Sequence, residues 1–522
     1  MAAIQTFAAI DVSSFEMELG IYEISQKNGI RAIDHVRHPI VLGRDVYNGG
    51  KITYDTMDEM CQILEDFSRI MKGYKVQAYR AYATSALRDA RNNQIVLDHI
   101  KVRTDLDVKI ISNSEHRFIS YKAIAAKDAE FNKIIQKGTA IVDAGFGSLQ
   151  LTLFDKENLV TTQNLPLGGL RIRELLAGIP ANLNLTLDLI NEIIDNELFT
   201  FRKIHLKDRE IKNIIGIGRS TLYLFQNKEK RMVPERVTAD EARQYYQDTV
   251  SGSLDTIAAR LGVNTEFARL LLPSAIIYKR LQEMMEAEMI WLPGIDLCDG
   301  IAADYAEKYR LVKFNHDFQR DIIIEARNLA KRYKCHVGHN QALELHALAI
   351  FDTAKRCHGM GKRERLLLQI AVLLHSCGKF ISMKNANDSA YNIIMSTEII
   401  GLSHLEREIV ANVVRYNTRD FEYDKVHLEM GMSQSGLADM DVKNVTILIA
   451  KLTGILRLAN AMDKSHRQKL VGCRMTMREQ KLIITTEYEG DITLEKMSFQ
   501  QRADFFEEIY GIRPILKQKR KG

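Results

Sequence analysis

Lys137-Gly-Thr-Ala-Ile-Val-Asp-Ala-Gly-Phe-Gly-Ser-Leu-Gln-Leu-Thr-Leu-Phe154 reads as a strand, a tight turn and a second strand. Ala140 to Val142 are apolar and lead into an acid, Asp143. Gly145, Gly147 and Ser148 form the turn, and Leu149 to Phe154 alternate as a strand that leads away. Glycine lets backbone N–H groups approach an anion closely, and the serine adds a hydroxyl donor. An Asp at a strand end can hold a metal that bridges to phosphate oxygens. A plain β-hairpin with a glycine turn is the competing account of this stretch alone.

A second copy near the N-terminus shifts the balance. Thr6-Phe-Ala-Ala-Ile-Asp-Val-Ser-Ser-Phe-Glu-Met-Glu-Leu-Gly-Ile-Tyr-Glu23 has the same layout. An apolar strand reaches Asp11, Ser13 and Ser14 make the turn, and an alternating strand follows. Two acid-ended units of one design imply two similar lobes facing one phosphate-bearing ligand.

At 522 residues the chain is long enough for three or four domains. Apolar content of 46% and charged content of 27% are those of a globular protein with a large core. A net charge of +5, spread out, is compatible with a polyanionic ligand without requiring one. The basic run Lys517-Gln-Lys-Arg-Lys-Gly522 reads as a solvated tail. Six scattered cysteines without C-x-x-C spacing argue against zinc ribbons and disulfide frameworks and fit a reducing compartment. No basic segment leads into an apolar signal region, and no unbroken apolar run reaches ~18 residues. The expectation is a cytoplasmic protein with no membrane and no nucleic-acid partner.

Strand and helix patterns alternate through residues 1–125, with strands expected at Thr6–Asp11, Met17–Ile24, Ile30–Val36, Val76–Tyr82 and Val108–Ser112. Residues 126–305 repeat the plan, ending in Ile211–Ile217 and the Gly216-Ile-Gly-Arg-Ser220 turn. Together they predict α/β layers. Helical periodicity dominates 315–465. Strands return at Lys469–Met477 and Lys481–Glu487, followed by a helix, so 466–522 reads as a small α+β domain.

Several residues carry possible chemistry. Arg88 lies near the start of a helix after a strand, with Thr84 or Ser85 as cap; its planar fork suits a phosphate, and a solvated surface arginine is the other account. Glu115, in Ile111-Ser-Asn-Ser-Glu-His-Arg-Phe118, sits at a helix start. It is either a capping acid or a group that takes a proton from attacking water. In Leu373-Leu-His-Ser-Cys-Gly-Lys-Phe380, Ser376 stands where a metal-binding His-Asp doublet would place its carboxylate, which leaves His375 as a packed helical histidine.

These pieces resemble the exopolyphosphatase / guanosine pentaphosphate phosphohydrolase family of the actin-like ATPase superfamily. The resemblance is carried by the two loops, Ala83-Thr-Ser-Ala-Leu-Arg-Asp-Ala90, the Glu115 segment and Leu165-Pro-Leu-Gly-Gly-Leu-Arg171. It continues through Gly216-Ile-Gly-Arg-Ser220, Leu272-Pro-Ser-Ala-Ile276, Leu297-Cys-Asp-Gly-Ile301 and Leu456-Arg-Leu-Ala-Asn-Ala-Met-Asp463. It implies two actin-like (ribonuclease H-like) α/β lobes around a cleft, then an all-α HD-like domain and a small α+β C-terminal domain. It further implies release of terminal orthophosphate from inorganic polyphosphate, or action on pppGpp, with Mg²⁺ and a homodimeric protein. Glu115 would orient or deprotonate water. Asp11 and Asp143 would lie by the metal. Arg88, Ser13, Ser14, Gly145, Gly147 and Ser148 would contact phosphate. A relative that binds polyphosphate or (p)ppGpp with weak turnover is the alternative.

The chain departs from the family pattern at definite places. The first loop, Asp-x-Gly-Ser-Asn-Ser in the family, is Asp11-Val-Ser-Ser-Phe-Glu16 here. In the second, Asp-x-Gly-Gly-Gly-Ser-Thr-Glu, Phe146, Leu149 and Gln150 intrude. The glutamate motif is one residue short, so matching Glu115 to it requires a gap.

Overall fold

The computed structural model describes residues 4–179, 183–226, 232–426, 428 and 442–519. The end of the basic tail, Arg520–Gly522, therefore lies outside the described residues. The chain divides into two compact units, Met1–Asp317 and Phe318–Gly522.

Unit 1 holds two sheets built on one plan. In the first, β1 (Gln5–Val12), β2 (Glu16–Ser25) and β3 (Gly29–Pro39) form an antiparallel run, and β4 (Ala78–Ala83) and β5 (Val108–Ile110) continue from β1 in parallel. The order is β3-β2-β1-β4-β5. The second repeats this with β6 (Thr139–Ala144), β7 (Leu149–Asp155) and β8 (Asn158–Leu165) antiparallel. Parallel β9 (Asn213–Ile217) and β11 (Met289–Trp291) extend from β6, and β10 (Arg236–Thr238) closes the edge antiparallel to β11, giving β10-β11-β9-β6-β7-β8.

The register makes the two hairpins equivalent. Asp11 lies opposite Glu18, and Asp143 lies opposite Gln150. Residues Phe7 to Val12 and Leu149 to Phe154 are buried throughout, as expected of strands covered on both faces. The first sheet packs the helix Tyr54–Gly73 through Met57, Met60, Leu64 and Phe67. The second packs Leu183–Phe201 and the long Thr265–Met285 helix.

The chain then crosses back. The helix Leu297–Lys308 does not extend the second layer, where the 126–305 reading put most of it. It lies on β1 and β2, sharing a core of Phe7, Ala9, Tyr22, Cys298, Ile301 and Tyr305 with the helix Asn113–Ala125. Gly300 permits this contact, since a Cβ there would meet the Ile119 carbonyl oxygen at 2.7 Å.

Unit 2 is mainly helical. Phe318–Arg332, Val337–Thr353, Lys362–Leu374, His404–Arg415 and Val442–Met462 supply its core. The Lys443–Met462 stretch is long and apolar enough to cross a membrane by length and composition; 72% of it is buried inside the protein, the mark of a core helix. β12 (Arg474–Arg478), β13 (Lys481–Thr486) and β14 (Arg513–Gln518) form a small sheet, and the helix Thr493–Tyr510 joins it to Val442–Met462. The helical part and the small sheet belong to one compact unit.

Candidate active site

The carboxyl ends of β1 and β6 open into one cleft in unit 1. Asp11, Ser13, Ser14, Arg88, Asp143, Gly145, Gly147 and Ser148 all line it. Every residue singled out in the sequence for phosphate or metal contact therefore lies in one place, Arg88 on the short helix Ser85–Asp89 and the others on the two hairpins.

The first loop is a tight turn, closed by Ser13 N–H donating to the Glu16 carbonyl at 3.0 Å. Ser13 Oγ donates back to Asp11, 2.8 and 2.7 Å from its two carboxylate oxygens. Ser14 Oγ lies 2.9 Å from Ser85 Oγ and 3.0 Å from Tyr47 Oη. Thr84 precedes the short Ser85–Asp89 helix without a side-chain capping bond, so Ser85 serves this hydroxyl cluster rather than a cap.

The second loop touches the first through Gly147. A Cβ at that position would stand 2.2 Å from Ser85 Oγ, 2.5 Å from Tyr47 Oη and 2.8 Å from Ser14 Oγ. Only glycine leaves room for so close an approach. Beside it, Phe15 from the first loop packs on Phe146 from the second, with ring centroids 4.9 Å apart, and both meet Phe267. The aromatic departures from the family pattern thus join the loops by an apolar contact.

The Gly216-Ile-Gly-Arg-Ser220 turn also reaches the cleft. Gly218 has φ of +84°, and a Cβ there would fall 2.4 Å from Asp143 Oδ1. Arg219 Nε donates to Glu16 Oε1 at 3.1 Å, so the acid introduced into the first loop faces inward and is paired.

Two expected phosphate and water contacts are arranged differently. Arg88 lines the cleft, but its guanidinium donates to the Ile111 carbonyl at 2.7 Å and to Asn113 Oδ1 at 2.5 Å, which ties down the turn between β5 and the Asn113–Ala125 helix. Glu115 is the N3 residue of that helix. It closes a capping box with Ser112, whose N–H donates to Glu115 Oε2 at 2.9 Å. Glu115 is not among the residues that line the cleft; its neighbour His116 is. The Ser-x-x-Glu spacing of a capping box carried this signal in the sequence.

His116 occupies the wall between the sheets. The Gln150 amide donates to its Nδ1 at 2.8 Å, and its Nε2 lies 3.8 Å from Asp143 Oδ2. Burial, with Arg88 and Arg117 nearby, holds its pKa down to about 3, so the ring is neutral. The lining also holds an acidic group around Glu18 and Asp296. Glu18 accepts from His35 Nδ1 at 3.0 Å and pairs with Arg37 at 2.6 Å, and Arg37 also reaches Asp296 at 3.3 Å. Glu18, Asp296, Arg219, Tyr47 and His116 were not singled out as site residues from the sequence. Glu18 is legible as the inward partner of Asp11 in the hairpin. Asp296 arrives only through the returning helix, which no local pattern announces.

The donor set suits a hard divalent cation. Burial raises the Asp143 carboxyl to about 7. Burial raises Asp11 well above its ordinary range despite the Ser13 hydrogen bond, and Glu18, Glu16 and Asp296 push it further. Carboxylates so strained toward protonation gain from a cation that neutralises them, and oxygen ligands are what Mg²⁺ prefers. Asp11 and Asp143 would hold it.

Comparison with known proteins accords with this layout. Residues 21–308 match the Ppx/GppA phosphatase family, and residues 323–502 match Ppx/GppA phosphatase, domain III. The chain is 19% identical over 417 residues to the guanosine-5'-triphosphate,3'-diphosphate pyrophosphatase of Photobacterium profundum, covering 78% of this chain and 80% of that protein. It is 24% identical over 173 residues to exopolyphosphatase 1 of Mycobacterium tuberculosis, 33% of this chain and 49% of the other. Over 173 residues it is 22% identical to a bifunctional 3-dehydroquinate synthase/phosphatase of Fusobacterium nucleatum, 32% of this chain and 26% of the other. The chain thus spans less than half the length of two of these three relatives. An exopolyphosphatase from Cytophaga hutchinsonii aligns with a TM-score of 0.52 at 17% identity, over 59% of this chain and 100% of that one. An exopolyphosphatase-like protein aligns with a TM-score of 0.50 at 18% identity, over 59% and 99%. The likeness is one of fold, the α/β, actin-like arrangement.

Proposed function

Because this chain belongs to the Ppx/GppA phosphatase family, we propose that its cleft engages the terminal phosphates of a phosphoanhydride chain and hydrolyses the last anhydride slowly. Inorganic polyphosphate is the first substrate and pppGpp the second. The observation that carries the reading is the convergence of Asp11 and Asp143, from two equivalent hairpins, with Ser14, Ser148 and Arg88 in one cleft. Mg²⁺ held by the two aspartates would neutralise charge on the phosphate oxygens. The hydroxyls of Ser13, Ser14 and Ser148 and the backbone at Gly145 and Gly147 would orient the chain end. A cytoplasmic homodimer completes the proposal.

Slow turnover follows from the carboxylates. With Asp11 and Asp143 given to a metal, the remaining acids of the cleft are engaged by Arg219, His35 and Arg37. Glu115, the acid expected to drive water, is spent on its helix cap. The same observation favours a second reading: binding of polyphosphate or (p)ppGpp without turnover, to regulate a partner.

Phosphate release from long-chain polyphosphate with Mg²⁺ distinguishes them, measured beside Asp143→Asn. Release by the wild type that the variant loses supports the hydrolase. Tight binding with no release from either supports the regulatory reading. Equal release from both removes the cleft from the reaction.

A further inference from the structure

A second cavity lies wholly within unit 2. Buried His339, His375 and Asn417 form part of its floor, and exposed Lys379, Lys384 and Lys464 stand at its rim. Among the described residues no acidic side chain lines it. Among the described residues the three lysines make no ion pair, whereas Arg419, also in the lining, is satisfied by Asp388 at 2.8 Å.

The position is that of the incomplete His-Asp doublet, and its chemistry has changed sign. Ser376 replaces the carboxylate after His375. Asp463, beneath the lining residue His339, is already engaged: it accepts from His339 Nδ1 at 2.8 Å and from the Gln468 backbone N–H at 2.7 Å. Among the described residues a bare cation would meet three ammonium groups and no carboxylate in the lining. An oxyanion would meet three charge-assisted donors at the rim.

The floor adds selectivity. His375 Nδ1 donates to the Val372 carbonyl at 2.7 Å, which fixes the tautomer. Burial keeps the ring neutral, with its pKa lowered to about 3. Its Nε2 therefore offers a lone pair, and among the described residues that nitrogen has no hydrogen-bond partner. A lone pair facing an anion is repulsive unless the anion brings its own hydroxyl. Phosphate keeps a hydroxyl at neutral pH; sulfate does not. The backbone supports the arrangement: His466 holds φ of +57° while its ring stacks on His339 at 3.8 Å, the kind of local strain that a packed site maintains.

We propose that this cavity is a phosphate site without metal, in which Lys379, Lys384 and Lys464 neutralise the oxyanion and His375 accepts its hydroxyl. The ligand chemistry is a protonated phosphate group, supplied as free orthophosphate or as the end group of a phosphate chain. The site stands whether or not the cleft of unit 1 turns substrate over.

Lysine acylation footprinting of the full-length protein by mass spectrometry, in chelator, tests it. Orthophosphate is expected to protect the three lysines at roughly tenfold lower concentration than sulfate at matched ionic strength, the size of one hydrogen bond to a buried acceptor. Protection by tripolyphosphate but not orthophosphate assigns the end group of a chain as the source. His375→Phe should collapse the preference over sulfate. Lys379→Met, at an exposed position whose ammonium makes no ion pair among the described residues, should weaken both anions about tenfold, read on Lys384 and Lys464, and keep the preference. Equal protection by sulfate and phosphate, no protection by any anion, or protection only when a divalent metal is added would each overturn the proposal.

Discussion

Gln150 donates its side-chain amide to Nδ1 of His116 at 2.8 Å, a bond between the second strand of one hairpin and a helix of the opposite lobe. It sets the tautomer that turns Nε2 toward Asp143. Gln150 is the register equivalent of Glu18 in the other hairpin. Replacing it by glutamate supplies an acceptor and a negative charge where there is now a donor. Gln150→Glu should raise the His116 pKa from about 3 by roughly 1–3 units, read from imidazole carbon shifts in an NMR titration. An unmoved midpoint would mean that this contact does not govern the ring.

Glu115 is expected to matter for stability more than for chemistry. Glu115→Ala removes the acceptor for the Ser112 N–H and should cost about 1 kcal/mol in denaturant unfolding. Glu115→Gln keeps an acceptor and should cost less. Neither should change phosphate release more than about twofold; a large loss in the Gln variant with stability intact would return the glutamate to the reaction.

Binding of Mg²⁺ to the cleft should release protons near neutrality. Asp143 titrates at about 7 in the folded protein, so a metal that requires its carboxylate displaces a proton from a large share of molecules. Calorimetry in two buffers of different ionisation enthalpy would give different apparent heats for the wild type. Asp143→Asn should remove that difference.

Gly147→Ala should disrupt the junction of the loops. The added methyl would strike Ser85, Tyr47 and Ser14 together, and overpacking of this kind costs about 1–3 kcal/mol. Thermal unfolding and the affinity for tripolyphosphate should both fall. An unchanged melting curve would show that the hydroxyl cluster can yield.

Much of this arrangement is legible in the sequence. Twin strands ending in Asp11 and Asp143 were recognisable because alternation and a terminal acid are local properties of sequence. So was the capping pattern of Ser112 and Glu115, although the same residues also fit a catalytic motif, and spacing alone does not choose between them. What stayed hidden depends on distant chain. Tyr47 joins Ser14 through a short helix, Arg219 crosses between sheets to Glu16, and Asp296 is delivered by a helix that returns to the first lobe. Those placements are fixed by packing, which sequence periodicity does not encode.

Stability in acid should be set partly by unit 2. Burial lowers His375 to about 3 and His346 to about 4, against 6.5 for a free ring. Both bind protons less readily folded than unfolded. Their contribution is therefore complete above about pH 6.5 and is withdrawn as the pH falls toward 3, by of order a few kcal/mol. Urea unfolding across that window, compared with His375→Phe, should show a flatter profile in the variant.

The ring contact between Phe15 and Phe146 has a mechanical meaning. Each ring rides on the loop of a different sheet, so the pair is a clasp at the tip of what would otherwise be two jaws. Prising them apart wets both faces and Phe267 behind them, at about 0.5–1.5 kcal/mol beyond the area exposed. Breathing of the jaws should thus pivot about a fastened corner, and smaller residues at these positions should speed the exchange of whatever the mouth admits.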